Sequence, residues 1–281
     1  MVELLLRQGA DPTLEEAYGI LGPLDAAVVG GDEEITLKLV KTLLDNKLPP
    51  DINFLPKDNG QAEHVLNEAS ELSPALVRLL LDYGADTKCF LSPPSRYRET
   101  PLFVAVRENN IETCRLLAER EPGLVNCQFE DGLVYEAPIH LAAREGHMDV
   151  VRFLLDAGAK PDLLSHHWRE TPFWSACYGG GLEMARLLYE RAPETLDTPS
   201  YDGSTPLAVA CGAGNPRLVE FLLDKGADAD ARCSAGGSCV CSAVSGDDGA
   251  AYKMVDLLIR RGVLGVDDVV GATGFTVLGE A

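Results

Sequence analysis

Several things are missing from this 281-residue chain, and each absence narrows what it can do. No stretch of 18 apolar residues occurs, so no transmembrane helix is expected. The first residues carry neither the basic start nor the long apolar stretch of a signal peptide. Basic residues are the scarce sign: 24 Lys and Arg stand against 44 Asp and Glu, for a net charge of −20. That balance opposes binding to nucleic acid or an anionic membrane, both of which require clustered Lys and Arg. It leaves two readings open: a partner with a basic or mixed surface, or acidic side chains that simply solvate an elongated molecule.

Signatures of chemistry are missing as well. There is no G-x-S-x-G, no P-loop, no H-E-x-x-H and no kinase set, so no catalytic residues are assigned. Paired C-x2-4-C spacing, the mark of structural zinc, does not occur among the eight cysteines. Their only cluster is Cys233, Cys239 and Cys241, a C-x5-C-x-C run with no fourth ligand nearby. No metal and no cofactor are therefore expected, and the cysteines fit a reduced, intracellular protein, cytoplasmic or nuclear.

What is present is repetition. The stretch A-P-I-H-L-A-A-R-E-G-H-M-D-V-V-R-F-L-L-D-A-G-A from Ala137 recurs from Thr100, Thr171 and Thr205, and more loosely from Gly22. Its anchor prolines, Pro101, Pro138, Pro172 and Pro206, are spaced by 37, 34 and 34 residues. Weaker anchors at Pro23, Val65, Cys239 and Val277 extend the series. An alanine follows four residues after each clear anchor: Ala105, Ala142, Ala176 and Ala210. Each unit reads as two short helices. Proline opens the first, where its missing N–H costs nothing. A pair such as Asn109-Asn110 or Gly146-His147 makes the turn. The second helix carries apolar residues at helical spacing and stops at a glycine such as Gly84, Gly158 or Gly226.

These spellings resemble the ankyrin repeat: T-P-L at Thr205 matches its T-P-L-H-x-A signature, and G-A-D at Gly9, Gly84 and Gly226 matches its repeat end. The tetratricopeptide repeat has a similar period but neither signature. The resemblance covers nearly the whole chain and implies an all-α ankyrin-repeat solenoid, curved and elongated, with helix-turn-helix units joined by β-hairpin-like loops. One domain, 1–281, is expected. It holds about seven repeats near 19–54, 60–88, 97–126, 131–163, 168–198, 202–231 and 233–265, with partial repeats at 1–12 and 273–281. Both ends thus fall inside a repeat, as in a fragment of a longer array, unless the N-terminal half-repeat serves as an imperfect cap.

The repeat register reassigns residues that invite chemistry. Cys114, Cys177 and Cys211 fall in small apolar core slots. In the family the histidine slot mainly supports the fold. It holds His140 once, and elsewhere Asp25, Asn67, Phe103, Trp174, Ala208, Cys241 and Gly279. His147 is the turn histidine, and Gly179, Gly180 and Gly181 belong to an inter-helix turn rather than a phosphate cradle.

Partner recognition in ankyrin-like solenoids uses the tips of the inter-repeat loops and the concave face of the first helices. Residues out of character there are Arg96, Tyr97, Arg98, Tyr135, His167, Trp168, Arg169 and Tyr201. Aromatic and Arg residues anchor protein interfaces, so these are the candidate partner-binding residues. The competing reading is that the rings cover neighbouring loops and the Arg residues make ordinary salt bridges. Two segments read as weaker structure, the Pro-rich insertion 45–60 and the Gly- and Ser-rich 232–249, and the repeat holding the second is expected to open most easily. The chain reads as a monomeric, non-catalytic interaction scaffold for a protein partner. It also fits the targeting arm of a larger enzyme or signalling protein, or an effector secreted to act inside a host cell.

Overall fold

The computed structural model describes residues 27–28, 33–45, 52–53, 65–87, 100–128, 136–229, 248–263, 269–270 and 275–276. The half-repeat at 1–12, the segment 88–99 and most of 45–60, 232–249 and 273–281 lie outside them. The chain divides into two compact units, Met1–Leu133 and Val134–Ala281.

In the first unit, helices α1 (Glu33–Asp45), α2 (Val65–Leu72), α3 (Pro74–Asp82), α4 (Pro101–Arg107) and α5 (Ile111–Arg120) form two layers. First helices α2 and α4 pack side by side, and second helices α1, α3 and α5 form the other layer. Leu66, Leu76, Leu80, Leu102 and Leu117 are fully buried between them. Each such side chain contributes roughly 1.5–3 kcal/mol by leaving water.

The second unit repeats the arrangement. Its first helices are α6 (Pro138–Arg144), α8 (Pro172–Tyr178) and α10 (Pro206–Gly212). Its second helices are α7 (Met148–Asp156), α9 (Leu182–Arg191), α11 (Pro216–Asp224) and α12 (Asp248–Arg260). Each first helix packs on the second helix of its own repeat and on the first helices beside it. A two-residue antiparallel ladder, β1 (Val269–Val270) with β2 (Phe275–Thr276), follows α12.

Local chemistry explains the element ends. Thr100, Thr171 and Thr205 cap first helices: their hydroxyls accept the N–H of Phe103 (3.0 Å), Trp174 (3.0 Å) and Ala208 (3.3 Å). Helix α7 closes through Gly158 at φ 93°, whose N–H and that of Ala159 donate to Leu155 and Leu154. That left-handed step is why glycine stands there. Helices α5 and α9 end differently from the glycine pattern. Glu121 (φ −140°) precedes Pro122, and Ala192 (φ −149°) precedes Pro193. A residue before proline is pushed out of the helical region, so these two helices stop and a 3-10 turn follows, Pro122–Asn126 or Pro193–Thr195.

Candidate functional site

The site builds from the links between successive repeats of the second unit. His140 is fully buried. Its Nδ1 accepts the N–H of Ala137 at 3.2 Å. Nε2 therefore carries the proton and donates to the carbonyls of Leu163 (2.9 Å) and Glu170 (3.1 Å). Burial holds this imidazole below its ordinary pKa, in the neutral form. One repeat later Trp174 occupies the same slot, and its Nε1–H donates to the carbonyl of Ser204 at 2.8 Å. Glu170 and Ser204 are corresponding residues, each just before a capping threonine. The indole thus makes the bond that the imidazole makes, and replacing the histidine does not break the link.

Those links position two hairpin tips. In the first, Ser165 N–H donates to the Glu170 carbonyl (2.8 Å) and Arg169 N–H to Ser165 (3.0 Å), with Arg169 at φ 54°. In the second, Ser200 N–H donates to Ser204 (3.0 Å). The carboxylate of Asp202 accepts Ser200 Oγ–H (2.6 Å) and Ser204 N–H (3.0 Å). The Ser200 hydroxyl, followed by the Ser204 groups, holds that carboxyl below its usual range against a smaller opposing effect of burial. The tips are tied together by Tyr201 N–H donating to the Trp168 carbonyl at 2.6 Å.

Trp168, 48% exposed, meets the His167 ring edge-on at 4.8 Å. Tyr201 is 73% exposed beside it. At the far end of α8, Tyr178 is 57% exposed and stacks on Trp174, centroids 5.6 Å apart. The structure therefore brings together His167, Trp168, Arg169 and Tyr201. Arg96, Tyr97, Arg98 and Tyr135 lie outside the described residues.

Tyr178 escaped the sequence reading. Its slot is held in other repeats by Arg107, Arg144 and Gly212, none of them apolar and large. A tyrosine in a slot that faces water was the available signal.

Carboxylates stand on the same hairpins and helix ends. Arg144 donates from both terminal nitrogens to Glu136 (2.8 and 2.7 Å). Glu170, half-buried, is raised to about 7, first by burial and then by the charges of Glu136 and Asp202, against the opposing charge of Arg144. Thiol chemistry is suppressed: Cys114 and Cys177 are fully buried, and burial pushes Cys114 up to about 12. Among the described residues no group of three His, Cys, Asp or Glu side chains is placed to hold a metal ion. No helix among them is long and apolar enough to cross a membrane.

The family model for ankyrin repeats (3 copies) matches residues 66–165, 139–233 and 174–268. The chain belongs to the ankyrin-repeat family. Among curated proteins it is 33% identical over 169 residues to the mouse B-cell lymphoma 3 protein homolog, covering 58% of this chain and 37% of that protein. The chain thus spans little more than a third of this relative. Among solved structures, the ankyrin repeat domain of Bcl-3 superposes with a TM-score of 0.62 at 23% identity, covering 86% of this chain and 100% of that one. The human ASB11 ankyrin repeat domain gives 0.66 at 23%, covering 86% and 98%. Both similarities establish the ankyrin-repeat fold.

Proposed function

We propose that this ankyrin-repeat chain is a non-catalytic recognition scaffold that seats a protein partner on its hairpin tips and first helices. The observation that carries this is the exposure of Trp168, Tyr178 and Tyr201 on hairpin tips and a first-helix end of one unit. Large rings left in water without need mark interaction surfaces. Arg96, Tyr97, Arg98 and Tyr135 are the further contacts in this reading. The acidic balance supports a partner with a basic surface, and the buried free thiols Cys114, Cys177 and Cys211 support an intracellular protein.

The test is the Trp168→Ala, Tyr201→Ala double variant, with Arg98→Ala beside it, assayed for partner pull-down and for thermal melting. Lost binding with an unchanged melting temperature is expected. Lost stability with intact binding overturns the reading. A second reading is the targeting arm of a longer enzyme or signalling protein. It uses the same surface.

A further inference from the structure

The 134–281 unit carries aromatic rings on its first helices and hairpins and others on its second helices. On the second helices the rings are supplied with the chain's own cations. The Arg186 guanidinium lies 5.0 Å from the centroid of Phe221. Lys225 Nζ lies 5.3 Å from that of Tyr189 and 5.7 Å from that of Phe221. A cation over a ring face is held by the ring's quadrupole. On the hairpin and first-helix side, Trp168, Tyr178 and Tyr201 are exposed, and among the described residues no Lys or Arg lies over any of them.

What accompanies those three rings is negative charge. Glu136, Glu145, Glu170 and Asp202 stand on the same hairpins and helix ends, against Arg144 and Arg169. Arg144 is already engaged, by both of its terminal nitrogens with Glu136 and more loosely with Glu145 at 3.6 Å. The Glu170 carboxylate has no hydrogen-bond or ion-pair partner among the described residues, and the charges of Glu136 and Asp202 oppose its ionisation. The contacts run continuously: Tyr178 stacks on Trp174, Trp174 bonds to Ser204, Ser204 to Asp202, and Tyr201 to Trp168.

We propose that this face seats an arginine-bearing basic segment of a protein partner, its guanidiniums stacking on Trp168, Tyr201 and Tyr178 and pairing with Glu170 and the carboxylates beside it. This rests on the reading of the face as the recognition surface. Arginine fits better than lysine because its flat, weakly hydrated guanidinium stacks on a ring while its fork pairs with a carboxylate. A segment fits better than a single side chain. The seven-residue helix α8, about 10 Å long, separates the hairpin rings from Tyr178.

A guanidinium against Glu170 favours its charged form, so binding near neutral pH releases a proton. The other groups facing Glu170 are Glu136, Arg144 and Asp202, and His140, which bonds to the Glu170 carbonyl and stays neutral.

The test uses the full chain and a soluble peptide of alternating arginine and serine. Its counterpart carries citrulline, equal in shape and uncharged. Both tryptophans of the chain, Trp168 and Trp174, belong to this face, so their emission reports occupancy. The arginine peptide is expected to change that emission and to bind about tenfold more tightly than the citrulline peptide. Glu170→Gln and Tyr201→Ala should each weaken it about fivefold. Lys225→Ala should leave it unchanged, and Glu170→Gln should also remove proton release, read as loss of the dependence of binding heat on buffer.

Equal binding of the two peptides overturns the proposal. So does arginine-peptide binding that ignores Glu170→Gln and Tyr201→Ala, because that is attraction to the acidic chain as a whole. If the Trp168→Ala, Tyr201→Ala variant loses its cellular partner while the arginine peptide fails to bind, the arginine assignment falls and the recognition surface stands. If neither the partner nor the peptide responds to these substitutions, both fall.

Discussion

The two sides of the 134–281 unit treat their aromatic rings differently. On the second helices, Tyr189 and Phe221 meet edge-to-face at 5.8 Å, and Arg186 and Lys225 cover them. Phe221 is buried to within 7% of full cover. These rings are finished: they pack against each other and the chain supplies their cations. On the hairpins and first helices, Trp168, Tyr178 and Tyr201 stay wet, beside carboxylates that outnumber the available guanidiniums. One side holds the stack together, and the other keeps its valence open. What separates the two sides is the supply of covering groups rather than the number of rings.

Substitutions on the two sides should have different effects, the largest first. Trp174 belongs to both worlds, because it is buried, supports Tyr178 and bonds to Ser204. Trp174→Ala should cost about 3–5 kcal/mol in chemical denaturation and abolish binding with it. Next comes Gly179, where an added Cβ would meet the carbonyl oxygen of Arg144 at 2.2 Å. Gly179→Ala must push α6 and α8 apart, and should cost about 1–3 kcal/mol, read as a lowered melting temperature.

Smaller effects separate the two sides. Arg186→Ala and Lys225→Ala should each remove about 0.5–1 kcal/mol of stability while binding stays intact. Trp168→Ala should do the reverse, weakening binding with the melting temperature unchanged.

The pH dependence is the finest probe. Glu170 is raised from its ordinary 4.5 to about 7 in the fold. The folded state then holds a proton that the unfolded chain has released, so this group's contribution is full below about 4.5 and is lost as pH rises through about 7. His140, held neutral by burial, acts oppositely: it loses stability as pH falls below its ordinary 6.5. Between pH 6.5 and 8 the falling Glu170 contribution outweighs the last of the opposing His140 change, so stability should fall as pH rises across that window. Glu170→Gln should flatten that slope in denaturation curves at the two ends of the window.

Much of this was legible in the sequence. Thr-Pro anchors and terminal glycines such as Gly158 are local signals that match caps and turns in the structure, and the alanines at fixed offsets, Ala105, Ala142, Ala176 and Ala210, are buried inside the first helices. The slots of Cys114, Cys177 and Cys211 followed from the register and are buried. Four candidate residues, His167, Trp168, Arg169 and Tyr201, do meet on adjacent hairpins. What was not legible depends on contacts between repeats about 30 residues apart. The Trp174–Ser204 bond and the charges crowding Glu170 are of that kind, whereas the Tyr178 stack on Trp174 is a contact four residues apart within α8. The proline endings of α5 and α9 were local, and E-P and A-P at Glu121 and Ala192 were the readable signal.

The most direct measurement is site-specific photocrosslinking in cells, with a reactive phenylalanine analogue placed at position 201 in one variant and at position 225 in another. A protein adduct is expected at 201 and none at 225. An adduct at 225 with none at 201 would contradict that expectation.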